Sequence, residues 1–133
     1  MIQVKNVNKS FDDKTILHSV DATFYDGKTN LIIGQSGSGK TVLMKSIVGL
    51  VTPEEGEILY DGRDLLQMDS KQKKELRKEI GMLFQGSALF DSETVLGNVM
   101  FPLVMFTNMT QAEMRDRALF CIERVNLKGA DKK

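Results

Sequence analysis

The stretch that decides the fold is residues 34–41, Gly34-Gln35-Ser36-Gly37-Ser38-Gly39-Lys40-Thr41. It matches every fixed position of the phosphate-binding loop pattern, in which glycines let backbone N–H groups approach phosphate oxygens. Because such a loop opens a helix, its unpaired N–H groups and the positive end of the helix dipole face the same anion. In this pattern the lysine reaches the β- and γ-phosphates, and the next hydroxyl is placed to bind Mg²⁺. We therefore predict that residues 34–41 bind a nucleoside triphosphate, with Lys40 and Thr41 in these two roles.

The residues on either side of this loop support a nucleotide site. Before it, residues 31–33 are wholly apolar, which is typical of a strand buried on both faces of a parallel sheet. After it, apolar residues recur at helical spacing as far as Pro53, which cannot continue a helix. These residues are Val42, Leu43, Ile47, Val48 and Leu50. The other interpretation of residues 34–41 is a flexible Gly/Ser linker, but a linker would not lie between a buried strand and a buried helix.

Several other segments show the residue patterns of strands or helices. Alternating or wholly apolar runs indicate strands, and charged residues with regularly spaced apolar residues among them indicate a helix. The predicted elements are strands at residues 2–7, 16–24, 56–62 (where the strand ends in a turn) and 81–84, and an exposed helix at residues 69–79. Thr110 and Glu113 stand at the spacing of a capping box, which predicts the start of a further helix.

The composition excludes several classes of function. The chain has 133 residues, of which 41% are hydrophobic and 27% charged, as in an ordinary globular domain. Its 18 basic and 18 acidic residues give no net charge, so a nucleic-acid partner is not expected. One cysteine and no Cys/His cluster indicate an intracellular protein without structural zinc. The most apolar stretch, residues 95–106, is far shorter than the roughly 20 residues of a membrane-spanning helix.

Several further sequence motifs occur in a characteristic order along the chain. They are Phe11 after the first strand, the hairpin region 56–64, the run 80–85 leading into residues 86–91, and the pairs Thr94-Val95 and Asn98-Val99. Together with the loop, this ordered set closely resembles the N-terminal half of an ATP-binding-cassette (ABC) transporter ATPase over essentially the whole chain. Residues 84–92, 98–99 and 101–103 are most similar to the lipid-asymmetry (Mla-type) phospholipid transporter branch of that family.

The resemblance implies an α/β fold. Its expected parts are an incomplete P-loop NTPase core, an N-terminal antiparallel β subdomain and the start of a helical subdomain. In this arrangement residues 1–94 form the ATP-binding core with the β subdomain, and residues 95–133 begin the helical subdomain.

The resemblance also implies roles for individual residues. Gln85 matches the family's Q-loop glutamine, which contacts Mg²⁺ and the attacking water, so Lys40 and Gln85 are the candidate catalytic residues and Thr41 and Gln85 the candidate Mg²⁺ ligands. Phe11 lies where the family places an aromatic ring under adenine, a contact that needs only a π face. The alternatives are a surface glutamine for Gln85 and an ordinary packed aromatic for Phe11.

The resemblance implies two kinds of partner, transmembrane permease subunits and a second copy of the ATPase. It also implies a location at the cytoplasmic side of the cell membrane. ATP binding would close the dimer, and hydrolysis would reopen it to power phospholipid transport. The family's signature motif, Walker B strand and switch histidine do not occur in these 133 residues. We therefore expect this chain by itself to bind ATP weakly and to hydrolyse it negligibly, which a phosphate-release assay would test.

Two other functions stay open at this point. A small P-loop kinase or GTPase would use residues 58–62, an apolar strand ending in Asp61-Gly62, to hold Mg²⁺. In that case Asp61 should lie near the nucleotide, whereas in an ABC domain it should lie on an exposed hairpin far from it. The third possibility is a cassette piece that acts only as a binding or regulatory module.

Overall fold

The computed structural model describes residues 1–84 and 88–133. These residues form two compact units, Met1–Ile80 and Gly81–Lys133. The division between the units falls at Ile80, before the subdomain boundary predicted after residue 94, and that boundary stays a prediction. Gln85 lies outside the described residues.

The first unit contains an antiparallel sheet. Its strands are β1 (Ile2–Phe11), β2 (Lys14–Phe24), β3 (Glu55–Tyr60) and β4 (Arg63–Asp64). Their order across the sheet is β2-β1-β3-β4, and every neighbouring pair is antiparallel. This sheet confirms the predicted N-terminal antiparallel β subdomain, including the turn at residues 61–62 between β3 and β4.

Strand β1 carries an extra residue where it faces β3. Lys5 pairs with Glu57 and Asn8 with Glu55, so three steps along β1 correspond to two along β3. Gly56 lies opposite this bulge with φ of 107°. A Cβ atom on Gly56 would lie 2.6 Å from the Asn6 carbonyl oxygen and 2.7 Å from that of Lys5. Only glycine fits here, because the backbone of β1 occupies the space of any side chain.

Three helical segments accompany the sheet in this unit. Helix α1 (Lys40–Ile47) follows the glycine-rich loop, a single 3₁₀ turn spans Leu65–Gln67, and helix α2 is Ser70–Arg77. Asp69 caps α2 and forms a capping box with Gln72. The charged helix predicted at residues 69–79 is therefore confirmed.

The core of the first unit lies between the sheet, helix α1 and helix α2. Its buried hydrophobic residues are Val4, Val7, Leu17, Leu43, Ile47, Ile58, Tyr60, Leu65 and Leu76. The Tyr60 hydroxyl donates a hydrogen bond to the Ile47 carbonyl and so ties β3 to the end of α1. Burial raises the pKa of Tyr60 to about 12, which keeps this hydroxyl protonated as a donor.

Two predicted buried strands are wrong. Residues 31–33 and 81–84 have no strand conformation, and the exposed fractions are 79% for Leu31, 84% for Ile33 and 98% for Leu83. A strand needs a neighbour to take up its backbone hydrogen bonds and layers on both faces to cover its side chains. Within residues 1–84 and 88–133 neither segment is paired with a strand, so an apolar run alone did not produce a strand.

The second unit is helical. Helix α3 (Val95–Phe106) begins at Thr94, whose hydroxyl accepts a hydrogen bond from the Gly97 N–H. Helix α4 (Gln111–Arg124) begins with the predicted capping box, in which Thr110 and Glu113 satisfy each other's backbone N–H groups at 3.2 and 3.0 Å. The two helices contact each other. In α4, Met114, Ala118 and Ile122 form the buried face.

Candidate nucleotide-binding site

The glycine-rich loop adopts a turn that leads directly into α1. The Ser38 N–H donates to the Gln35 carbonyl at 3.0 Å, which folds residues 35–38 back on themselves. Gly37 and Gly39 have φ of 81° and 98°. This left-handed conformation is readily adopted by glycine but is unfavourable for residues that have a Cβ atom. Residues 34–38 are exposed.

The loop closes around a small cradle between Gly34, Ser38 and Lys40. A Cβ atom on Gly34 would lie 2.5 Å from the Ser38 hydroxyl and 3.5 Å from the Lys40 Cδ atom. The Lys40 ammonium donates a hydrogen bond to the Gly34 carbonyl oxygen, so the lysine turns back over the loop. A positive charge and a hydroxyl thus lie close to the Gly34 backbone, and these are groups that can bind a polyphosphate.

The start of helix α1 adds unpaired backbone donors to this cradle. The N-cap residue is Gly39, and no side chain caps the first turn. The first N–H groups of a helix have no partner within the helix, and they carry the positive end of its dipole. Glycine at the N-cap therefore leaves these donors available to an anion, where serine or aspartate would occupy one of them.

Gly39 is fixed from behind by strand β2. A Cβ atom on Gly39 would lie 3.2 Å from side-chain atoms of both Ile16 and Leu17 and 3.3 Å from the Ile16 carbonyl oxygen. Gly39 is buried, unlike the rest of the loop. The sequence pattern explains this glycine by its approach to phosphate. The structure adds a second cause, because a methyl group here would press against Ile16 and Leu17 and would require them to shift by a few tenths of an ångström.

The same hairpin carries Phe11. Phe11 is the last residue of β1 and pairs with Lys14, while Lys9 pairs with Leu17, the residue that contacts Gly39. The end of the β1–β2 hairpin therefore lies beside the beginning of α1. Phe11 is 45% exposed, which leaves ring surface for another planar group. Phe11 thus lies on the hairpin whose Ile16 and Leu17 contact Gly39, while its contact with adenine stays a prediction.

A polar network that the sequence did not predict lies beside Phe11 and contacts its ring through Lys9. The Lys9 ammonium lies 4.9 Å from the centre of the Phe11 ring, 2.9 Å from a Glu54 carboxylate oxygen and 3.0 Å from the Thr52 carbonyl oxygen. The other Glu54 oxygen accepts the Ser10 N–H at 3.1 Å. The hydrogen bond from Lys9 holds the pKa of Glu54 below its usual value. No local pattern marks this network, because its members come from two segments more than 40 residues apart.

The predicted Mg²⁺ ligands can be placed only in part. Thr41 is exposed on the first turn of α1, while Gln85 falls outside the described residues. Mg²⁺ prefers oxygen ligands and keeps several waters, so one hydroxyl and one amide oxygen beside nucleotide phosphates suit it. In the part of the chain that the structure describes, no group of three or more His, Cys, Asp or Glu side chains could hold a metal ion.

Asp61 lies on the exposed turn of the β3–β4 hairpin. It occupies the turn after β3, where its carboxylate accepts a hydrogen bond from the N-terminal ammonium at 2.7 Å and its pKa is lowered by that bond. Glu54 and Lys9 lie at the other end of β3, roughly 20 Å away at the rise of an extended strand. An exposed hairpin turn is the placement expected of Asp61 in an ABC domain, and its carboxylate is already bonded to the N-terminal ammonium.

Comparison with known proteins identifies the class of protein. The sequence profile of the family described as "ABC transporter" matches residues 17–133, and the chain belongs to that family. The predicted resemblance is therefore confirmed, and family membership replaces the kinase or GTPase alternative.

Individual relatives carry different names. The intermembrane phospholipid transport system ATP-binding protein MlaF of Haemophilus influenzae is 39% identical over 130 residues, which are 98% of this chain and 49% of that protein. The probable ribonucleotide transport ATP-binding protein mkl of Mycobacterium leprae is 39% identical over 132 residues, with 99% and 38% coverage. The methionine import ATP-binding protein MetN of Clostridioides difficile is 38% identical over 127 residues, with 96% and 39% coverage. The chain spans half or less of the length of these relatives.

Solved structures show the same fold. A dimeric bacterial ABC transporter cassette matches with a TM-score of 0.87 and 32% identity, over 100% of this chain and 61% of that one. A dimeric ATP-binding cassette in a post-hydrolysis state, bound to ADP and phosphate, matches with a TM-score of 0.86 and the same identity and coverage. The predicted fold class, a partial P-loop α/β fold with an antiparallel β subdomain, is therefore confirmed. Among the described helices, none has the length and apolarity to cross a membrane.

Proposed function

We propose that the protein carrying this chain binds and hydrolyses ATP to drive an ABC transporter. The observation that supports this most directly is the close grouping of Gly34, Ser38 and Lys40 at the start of α1, next to the hairpin that carries Phe11. It combines donors for a polyphosphate with an exposed aromatic ring for a base. A regulatory module that only binds nucleotide would share this cradle, so turnover distinguishes the two.

Each part of the site has its own task in this proposal. Backbone N–H groups of residues 34–41 bind phosphate oxygens, and the Lys40 ammonium moves from the Gly34 carbonyl to the β- and γ-phosphates. Phe11 stacks on adenine. Thr41 and Gln85 would hold Mg²⁺, and Gln85 would orient the attacking water. Bound Mg²⁺ supplies positive charge that offsets the negative charge developing on the phosphates.

The proposed partners are transmembrane permease subunits and a second copy of the ATPase, at the inner face of the cell membrane. Dimeric cassettes among the structural neighbours support the second copy. For the cargo we propose phospholipid, supported by the relative whose name includes phospholipid transport. Other relatives of almost equal identity are named for ribonucleotide or methionine transport. Stimulation of ATPase activity by phospholipid, but not by methionine or ribonucleotides, in vesicles with the native permease would support this cargo.

Phosphate release by the full-length protein tests the proposed reaction. We expect Mg²⁺-dependent release of phosphate from ATP and loss of release in EDTA, because Thr41 and Gln85 act through the metal. A protein that binds ATP without releasing phosphate would instead be a binding module. Transfer of the phosphoryl group to an organic acceptor rather than water would contradict the proposal.

The role of Phe11 has a separate test. In the full-length protein, Phe11→Ala should weaken binding of ATP about 10-fold, because the loss of one base–aromatic stack costs about 1–3 kcal/mol. Binding of inorganic triphosphate should change little, since it has no base. Calorimetric titration of both ligands measures the two losses. Equal losses would show that Phe11 supports the fold of the hairpin rather than the base.

A further inference from the structure

We propose that Lys9 is a positioning residue for nucleotide binding: it holds the Phe11 ring in the orientation that stacks on the base and ties that ring to the chain segment following α1. This inference rests on the proposed function. It adds a residue that no part of the loop pattern contains, since Lys9 lies 25 residues before Gly34 in the chain.

Two hydrogen-bond acceptors, a carboxylate and a backbone carbonyl, hold the Lys9 side chain in place. Its ammonium donates to the Glu54 carboxylate at 2.9 Å and to the Thr52 carbonyl at 3.0 Å. Its side chain is only 15% exposed, which is unusual for lysine. Ordering a lysine costs side-chain entropy, and these two charge-assisted contacts offset that cost. The Lys9 ammonium therefore has a defined position in the first unit.

Phe11, in contrast, has little packing of its own. Its ring is 45% exposed at the end of β1, beyond the buried part of the sheet. The Lys9 ammonium lies 4.9 Å from the ring centre, within the range of a cation–π contact. This contact favours one ring orientation and covers one side of the ring. The remaining open surface is available to a base, and the cation draws electron density away from it, which favours stacking on electron-rich adenine.

Lys9 also connects the two halves of the site. Thr52 and Glu54 belong to the segment between α1 and β3, and α1 begins at the phosphate-binding loop. Glu54 is held in addition by the Ser10 N–H at 3.1 Å, and its own N–H donates to the Asn8 carbonyl at 3.1 Å. The strand that ends in Phe11 is therefore fastened to the chain leaving α1. This fastening sets the distance between base and phosphates.

Binding of two ligands by the full-length protein tests this role. Lys9→Met keeps the length of the side chain but removes the ammonium. We expect ATP binding to weaken about 5-fold and inorganic triphosphate binding to change less than about 2-fold, because a cation–π contact acts on the ring and not on the phosphates. Lys9→Arg should restore ATP binding, since a guanidinium also lies over aromatic rings. Lys5→Met, an exposed lysine on the same strand, is the matched control and should change neither affinity.

The outcomes separate this inference from the proposed function. Equal weakening of both ligands, or no change in either, would overturn the role of Lys9. If Lys9→Met does not fold, as judged by its thermal midpoint, Glu54→Gln replaces it, because the amide keeps the shape and loses the charge that holds the ammonium. We then expect a smaller loss, about 2-fold, again selective for ATP, and an unselective loss would overturn the inference. A wild-type protein that binds neither ligand would overturn the proposed function itself.

Discussion

Lys40→Ala is expected to weaken ATP binding by the full-length protein about 100-fold. The Lys40 ammonium lies over the loop, bonded to the Gly34 carbonyl, where the charge of a polyphosphate would replace that carbonyl as its partner. Removing one member of a close, hydrogen-bonded charge pair costs about 3 kcal/mol, which corresponds to a factor of about 100 in affinity. Calorimetric titration with ATP measures the loss directly.

The fold is expected to persist in Lys40→Ala, because the lost hydrogen bond lies within an exposed loop. The matched control is Lys45→Ala, which removes the same charge from an exposed position on the same helix. Lys45→Ala should leave the affinity for ATP unchanged, and the thermal midpoints of both variants should stay near that of the wild type. An unchanged affinity in Lys40→Ala would contradict the role of Lys40 and the interpretation of the loop.

Gly56→Ala is expected to lower the free energy of unfolding by about 3 kcal/mol. The methyl group would lie 2.6–2.7 Å from backbone atoms of Lys5, Asn6 and Val7, which cannot move without breaking the β1–β3 pairing. The φ of 107° at Gly56 is unfavourable for alanine in addition. Urea unfolding followed by circular dichroism measures the loss.

Gly62→Ala separates the steric contribution to this destabilisation from the contribution of the positive φ. Gly62 also has a positive φ, of 86°, but no atom lies within 4 Å of the position of its Cβ. We therefore expect a loss of about 1 kcal/mol in Gly62→Ala, from backbone conformation alone. If Gly56→Ala were no more destabilising than Gly62→Ala, the bulge would be able to relax around a side chain, and the close approach of β1 and β3 would not be a constraint.

Local patterns predicted the elements that form from contacts between near neighbours in the chain. Residues 34–41 need only their own backbone and the start of α1 to form a turn with free N–H donors, so eight residues were enough. The capping box at Thr110 and Glu113 spans three residues and was predicted for the same reason. The alternating pattern of β1 and β2 also succeeded, because one face of the sheet is buried and the register follows from it.

Patterns of hydrophobicity failed where the structure depends on neighbours distant in the chain. Residues 31–33 and 81–84 are apolar enough for buried strands, yet no adjacent strand in the described residues takes up their hydrogen bonds. An apolar run indicates that a segment favours burial, but it does not show which other segment would pack against it.

The sequence by itself determined the family and predicted the phosphate-binding loop, because both depend on short, contiguous motifs. Only the tertiary structure decided that Leu17 closes the space behind Gly39, that Gly56 faces a bulge in β1, and that Lys9 joins Phe11 to Glu54. These contacts join segments that are from about 20 to about 50 residues apart in the chain. Their pairing follows from strand register and packing, which no local stretch of sequence contains.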